Sequence, residues 1–145
     1  MTTTIEENLA KVELFAELPK RDLARIAKVT LVKTFKKGDV IVREGDLGVG
    51  FYVVSKGSVE VVKGLGTPHE QVLATLGPES FFGEMALFDN QVRSASVRAA
   101  GEAECLVLTK WDFNAELLGP SSRIAVSMLA ILARRIRNLT DAVNH

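Results

Sequence analysis

The 145-residue sequence has one cysteine, two histidines, one tryptophan and one tyrosine, and its 18 lysines and arginines are matched by 18 aspartates and glutamates. The lone Cys105 excludes a disulfide framework, and with only His69 and His145 beside it no Cys/His set has zinc-site spacing, so neither a metal nor a cofactor is expected. A reducing cytoplasm is the default compartment for such a chain. Without a basic surplus there is no broad positive field to neutralise a phosphate backbone, and direct nucleic-acid binding is not expected. Residues 1–7 lack the basic start and apolar run of a secretory signal. The longest apolar run near the C-terminal end, residues 125–133, is broken by Ser127 and followed by Arg134 and Arg135. That is well short of the roughly 20 residues that span a bilayer, so no membrane span is expected.

What is present suits one domain over residues 1–145, a length that buries about two-thirds of the unfolded surface. Thr4-Ile5-Glu6-Glu7 has capping-box spacing, and Ile5, Leu9 and Val12 follow at helical intervals. After the Leu18-Pro19 break, Leu23, Ile26 and Ala27 mark a second short amphipathic segment, which makes residues 1–28 a pair of N-terminal packing helices. Over 29–110 the texture changes to short runs rich in Val, Leu, Phe and Thr, at 31–35, 40–43, 51–54, 58–63, 71–76, 94–99 and 104–109, with glycine-bearing turns between them. Many short strands without long helices between them predict a mainly β fold of antiparallel sandwich, jelly-roll or barrel type. Residues 111–145 read as a hinge, around Asn114 to Pro120, followed by a helix from Ser122 with Ile124, Met128, Ile131, Leu132, Ile136, Leu139 and Val143 on one apolar face. Cys105 reads as a small buried hydrophobe, His69 as the tip of a hairpin, and Tyr52, Trp111 and Phe113 as core or domain-packing aromatics, of which one near a pocket would contact its ligand.

One segment breaks the β texture. Ser80-Phe81-Phe82-Gly83-Glu84-Met85-Ala86-Leu87 suits a strand that runs into a short helical turn, whose unpaired N–H groups attract anions, and Arg93 arrives a few residues later. A guanidinium beside such a turn can hold a phosphate by charge-assisted, bidentate hydrogen bonds. Glu84 would repel that phosphate, so its role beside it would be to accept hydrogen bonds from neutral hydroxyls, as on a sugar. The alternative, Glu84 and Arg93 paired with each other across the turn, stands equally open on spacing alone.

Phe82-Gly83-Glu84-Met85-Ala86-Leu87, a loop and Arg93-Ser94-Ala95-Ser96-Val97 together resemble the phosphate-binding cassette of the cyclic nucleotide-binding domain family. Phe35-Lys36-Lys37-Gly38-Asp39-Val40-Ile41, Glu44-Gly45-Asp46 and Tyr52-Val53-Val54-Ser55-Lys56-Gly57-Ser58-Val59-Glu60-Val61 resemble its glycine-turned strands, and the likeness runs from Leu14-Phe15 through the final helix. The resemblance implies an eight-stranded antiparallel β roll with N-terminal helices, a short cassette helix within residues 82–97 and a C-terminal lid helix. The implied ligand is cAMP or cGMP. Arg93 would meet the cyclic phosphate with support from the Ala86 and Ala95 amides, and Glu84 with the Gly83 amide would take the ribose 2′-hydroxyl. Phe82 and Met85 are further ligand-binding candidates within the cassette, and the Ser94 hydroxyl would touch the phosphate or a guanine amino group. Arg134, Ile136 and Arg137 are candidate base caps on the lid. Two positions depart from the family pattern: Val92 stands where proline often precedes the arginine, and Leu47-Gly48-Val49-Gly50 lacks the usual small polar or acidic residue.

The expectation is a stand-alone cyclic nucleotide sensor that performs no chemistry on its ligand and passes binding through its C-terminal helix to a protein effector in trans or to a homodimer. Its rivals are a non-binding interaction or dimerisation module of the same fold, the regulatory fragment of a transcription factor or channel, and a phosphodiesterase-like enzyme. The absence of His/Asp metal clusters argues against the last.

Overall fold

The computed structural model describes residues 4–48, 50–83, 92–119 and 123–143. Thr4 accepts a hydrogen bond from the Glu7 amide at 3.1 Å and caps α1 (Ile5–Ala10). A 3₁₀ turn at Glu13–Phe15 and α2 (Lys20–Val29) follow, burying Leu9, Val12, Leu14, Phe15, Leu23 and Ile26.

Eight strands come next: β1 (Leu31–Phe35), β2 (Val40–Val42), β3 (Gly50–Lys56), β4 (Val59–Lys63), β5 (Gln71–Leu76), β6 (Phe81–Phe82), β7 (Ser96–Ala99) and β8 (Ala103–Thr109). They form two four-stranded antiparallel sheets, ordered β1-β8-β3-β6 and β2-β7-β4-β5. The chain closes with α3 (Lys110–Leu118) and α4 (Arg123–Val143). The expected short cassette helix lies outside the described residues.

The unbroken apolar run of β8 has a physical reason. Successive side chains of a strand point to opposite faces, and both faces of the first sheet are covered. Leu106 and Leu108 join the N-terminal helices in one core, while Cys105 and Val107 join Val59 and Val97 of the second sheet in another. β3 divides in the same way, Phe51 and Val53 toward the helices and Tyr52 and Val54 toward the second sheet. Phe51 stacks on Phe113 at 4.9 Å and meets Phe15 edge-on at 5.9 Å, which ties α3 and the 3₁₀ turn to the same spot on β3.

Strand positions 31–35 and 71–76 match the sequence reading. Ser94 and Ala95 lie outside β7, and the strand expected to lead into Gly83 is the two-residue β6. The hinge expected around Asn114 to Pro120 is helical as far as Leu118: Thr109 accepts from the Asp112 amide at 3.2 Å and starts α3, so the break falls at Gly119. Phe113 is buried as expected, but Trp111 is 70% exposed and packs no core.

Glu79 is the one described non-glycine residue with positive φ, at 75°. Its N–H donates to the Val54 carbonyl at 2.8 Å, and the Val54 N–H donates to the Ser80 carbonyl at 2.8 Å, so the strained residue docks the start of β6 on β3. A left-handed side chain costs about 1–2 kcal/mol, and glycine's extra freedom in the unfolded chain offsets about half of that. Glu79→Gly is therefore expected to raise the thermal midpoint by about 1–4 °C. A scanning-calorimetry midpoint that stays or falls would mean that the Glu79 side chain earns its conformation through contacts of its own.

Candidate functional site

The site is built on the backbone of Arg93. Its N–H donates to the Asp46 carbonyl at 2.7 Å and its carbonyl accepts from the Gly45 N–H at 2.9 Å, beside an antiparallel bridge between Leu47 and Val92. Arg93 is thus stitched to the turn that follows β2. Its side chain runs inward, 7% exposed, and Nη2 donates to the Gly50 carbonyl at the head of β3, at 2.8 Å.

One glycine makes room for this guanidinium and another for the Tyr52 ring beside it. Gly83 has φ of 93°, and a Cβ there would stand 2.6 Å from Arg93 Nη1 and 2.8 Å from the Gly50 carbonyl oxygen. Any side chain at Gly83 would therefore displace the guanidinium. A Cβ on Gly50 would come within 3.1 Å of the Tyr52 ring, which lies stacked on Phe82 with centroids 4.8 Å apart and planes 2° from parallel. The pairing of Tyr52 with Phe82 across β3 and β6 is what delivers Phe82 and Gly83 beneath Arg93.

A cavity of about 250 Å³ opens beside this cradle, lined by Val40, Ile41 and Val42 of β2 with Arg43, Asp46, Leu47, Tyr52 and Arg93. Its wall is apolar along β2 and cationic at Arg93, and water is largely excluded from the guanidinium. A charge in such a place acts on an anion far more strongly than one in bulk water. Burial pushes the Tyr52 phenol above its ordinary pKa, with Arg93 opposing, so the phenol stays neutral and contributes a dipole rather than a charge. Burial also pushes the Cys105 thiol up to about 11, which leaves it protonated and unreactive.

The structure brings together Phe82, Gly83 and Arg93. Ser94 is exposed, with its carbonyl accepting from Lys63 Nζ at 2.8 Å, and Ala95 is half-buried beside it. Glu84, Met85 and Ala86 lie outside the described residues. On α4, Arg134 pairs with Glu13 of the 3₁₀ turn, while Ile136 and Arg137 are exposed; none of the three lines the Arg93 cavity. Sequence reasoning missed the Gly50 carbonyl and left Tyr52 between a packing group and a base contact. A backbone acceptor leaves no side-chain signal, although the Gly48-Val49-Gly50 spacing hints at a close approach. His69 is exposed at its turn, as expected, and no cluster of three or more metal-ligating side chains occurs among the described residues.

A family model for the cyclic nucleotide-binding domain matches residues 32–118, well over half of the chain. The chain belongs to the cyclic nucleotide-binding domain family. It is similar to a cAMP-dependent protein kinase regulatory subunit of Blastocladiella emersonii, 34% identical over 82% of this chain and 29% of that protein. It is also similar to cGMP-dependent protein kinase 2 of Homo sapiens, 37% identical over 73% of this chain and 14% of that one. The chain therefore spans less than a third of either relative's length. Among solved structures, the Catabolite Activator Protein of Thermus thermophilus superposes with a TM-score of 0.78 at 33% identity, covering 91% of this chain and 62% of that one. The N-terminal domain of a transcriptional regulator from Streptomyces coelicolor A3(2) superposes with a TM-score of 0.75 at 32% identity, covering 94% of both. The two antiparallel sheets with flanking helices are the β roll of the cyclic nucleotide-binding domain family, and no helix among the described residues is long and apolar enough to cross a membrane.

Proposed function

We propose that the chain is a cytoplasmic sensor that binds cAMP or cGMP without altering it. The observation that carries the reading is the buried guanidinium of Arg93, held over Gly83 by the Gly50 carbonyl in the wall of an open cavity. In this reading Arg93 takes the cyclic phosphate by charge-assisted hydrogen bonds, supported by the Ala86 and Ala95 amides. Glu84 and the Gly83 amide take the ribose 2′-hydroxyl, Phe82 and Met85 form the wall, and Ser94 faces the phosphate or base. Arg134, Ile136 and Arg137 would cap the base only after the distal half of α4 leaves its present position. A ligand drives such a movement to the extent that the closed arrangement binds it more tightly.

Transmission would then run through α4 to another chain. Val126, Leu129, Ile136 and Leu139 are exposed along α4 at intervals of three and seven residues, a spacing that suits the corresponding helix of a second copy or of an effector. Isothermal titration of the chain with cAMP and with cGMP, each to millimolar concentration, tests the reading. Saturable binding of at least one in the micromolar range is expected. If neither heats the cell, the chain is an interaction module that keeps the fold without the ligand.

A further inference from the structure

The residues that follow Arg93 are fastened from two sides. The turn after β2 holds the ends of the segment: the Arg93 N–H donates to the Asp46 carbonyl, the Arg93 carbonyl accepts from the Gly45 N–H, and the Glu44 N–H donates to Oγ of the buried Ser96 at 2.9 Å. The peptide that joins Ser94 to Ala95 lies between those ends. Lys63, the last residue of β4, takes its carbonyl: Nζ donates to the Ser94 oxygen at 2.8 Å and pairs with Glu44 Oε2 at 3.0 Å. Glu44 is held in turn, because its Oε1 accepts from the Gly64 N–H at 3.0 Å. That bond first, and the Lys63 ammonium second, keep the Glu44 carboxyl below its ordinary pKa, so it stays ionised at neutral pH.

The Ser94–Ala95 peptide is trans, and in a planar trans peptide the C=O and the N–H point in opposite directions. With the Ser94 carbonyl turned toward Lys63, the Ala95 N–H of the same peptide is turned away from it. A cation on the carbonyl also polarises the whole amide, which makes its N–H a stronger donor. We propose that Lys63 is a positioning residue of the nucleotide site: by holding the Ser94 carbonyl it aims and strengthens the Ala95 N–H that meets the cyclic phosphate. The proposal rests on the nucleotide reading above, in which that amide is a phosphate ligand. It gives the β4–β5 hairpin a part in the site, since Lys63 ends β4 and the amide of Gly64, the next residue, orients Glu44. The magnitude follows from exposure. The side chains of Lys63 and Glu44 are 53% and 33% exposed, so the charge-assisted bond, discounted for solvent, sets affinity by about threefold to tenfold.

Lys63→Met keeps the aliphatic stem without the cation, Lys63→Arg restores a cationic donor, and neither touches a residue assigned to the ligand. Without nucleotide, the Ala95 amide nitrogen resonance should move in Lys63→Met toward that of an amide whose peptide carbonyl has lost its cation. In Lys63→Arg it should return toward the parent position. Affinity for whichever of cAMP and cGMP binds, read by titration calorimetry, should fall about threefold to tenfold in Lys63→Met and recover to within about twofold of the parent in Lys63→Arg. An Ala95 resonance that stays in place in Lys63→Met overturns the hold on the peptide. A moved resonance with unchanged affinity, or a loss that Lys63→Arg does not restore, overturns the part of Lys63 in binding. Failure of the unsubstituted chain to bind either nucleotide overturns the nucleotide reading instead, and the Ala95 resonance still decides whether Lys63 sets that peptide.

Discussion

Arg93→Ala is expected to weaken cyclic nucleotide binding by about a hundredfold to a thousandfold. A charge-assisted hydrogen bond contributes about 1.5–3 kcal/mol, and a guanidinium that meets a phosphate with two of them contributes about 3–4 kcal/mol, which corresponds to that loss. The energy is available only because the side chain is 7% exposed and already aimed: the Gly50 carbonyl holds Nη2 at 2.8 Å, and the bare α-carbon of Gly83 lies beneath Nη1. Arg93→Lys keeps the charge but has no planar fork to share between the Gly50 carbonyl and a ligand, so it should recover about a tenth of the affinity at most. Titration calorimetry of the three proteins with the nucleotide that binds measures this. The thermal midpoint, read in parallel, separates lost binding from lost folding, since the substitution also leaves the buried Gly50 carbonyl without its donor. Equal affinity in the alanine variant would remove Arg93 from the phosphate.

Much of this was legible in the sequence, for reasons that differ from element to element. β8 and β3 announce themselves because each must cover two faces, so Cys105-Leu106-Val107-Leu108 and Phe51-Tyr52-Val53-Val54 are apolar without interruption. Arg93 and Gly83 stand out because they flank a break in β texture; on spacing alone a Glu84–Arg93 pair stands equally open, and the likeness to the phosphate-binding cassette is what points to a phosphate there. The parts that escaped depend on distant residues. A strand before Gly83 was legible, but the two-residue length of β6 and its register, set where Glu79 and Ser80 pair with Val54, are encoded by no local pattern. The Gly50 carbonyl is a backbone atom, invisible in residue type. α3 was taken for a hinge because its cap, Thr109, is also the last residue of β8, and one residue ending a strand and starting a helix gives no composition change to read. The placement of Arg134 and Arg135 at Glu13 and Phe81 is likewise tertiary: a lone helix shows two arginines near its middle and nothing of where they go.

A second large effect is expected far from the cavity, where α2 meets α3. Arg25 Nε and Nη2 donate to the two carboxylate oxygens of Glu116 at 2.8 and 2.9 Å, and Nη2 also donates to Asp22 at 2.8 Å. Asp22 and Glu116 are 6% and 8% exposed, so two carboxylates are withdrawn from water beside one cation. The paired carboxylates, Glu116 foremost, push the Arg25 guanidinium above its already high ordinary pKa, which keeps the cation charged at every accessible pH. Removing that cation is worse than removing the whole cluster. Arg25→Met leaves two like charges beside each other at a site that water reaches along the 38% exposed Arg25 side chain, a change that destabilises less than in a sealed core, whereas an apolar replacement of all three residues would leave nothing uncompensated. The expected result for Arg25→Met, discounted for the water that reaches the cation, is a thermal midpoint lowered by about 3–8 °C at neutral pH. The deficit should shrink on acidification toward about pH 5, because a proton on one stranded carboxylate relieves both the repulsion and the desolvation cost. The triple variant Asp22→Leu, Arg25→Met, Glu116→Leu should melt above the single one and show no such recovery. Calorimetric scans of both variants at the two pH values decide the matter: a single variant that melts like the parent, or a deficit that grows on acidification, would show that the α2–α3 contact is held by the surrounding apolar packing and not by the ion cluster.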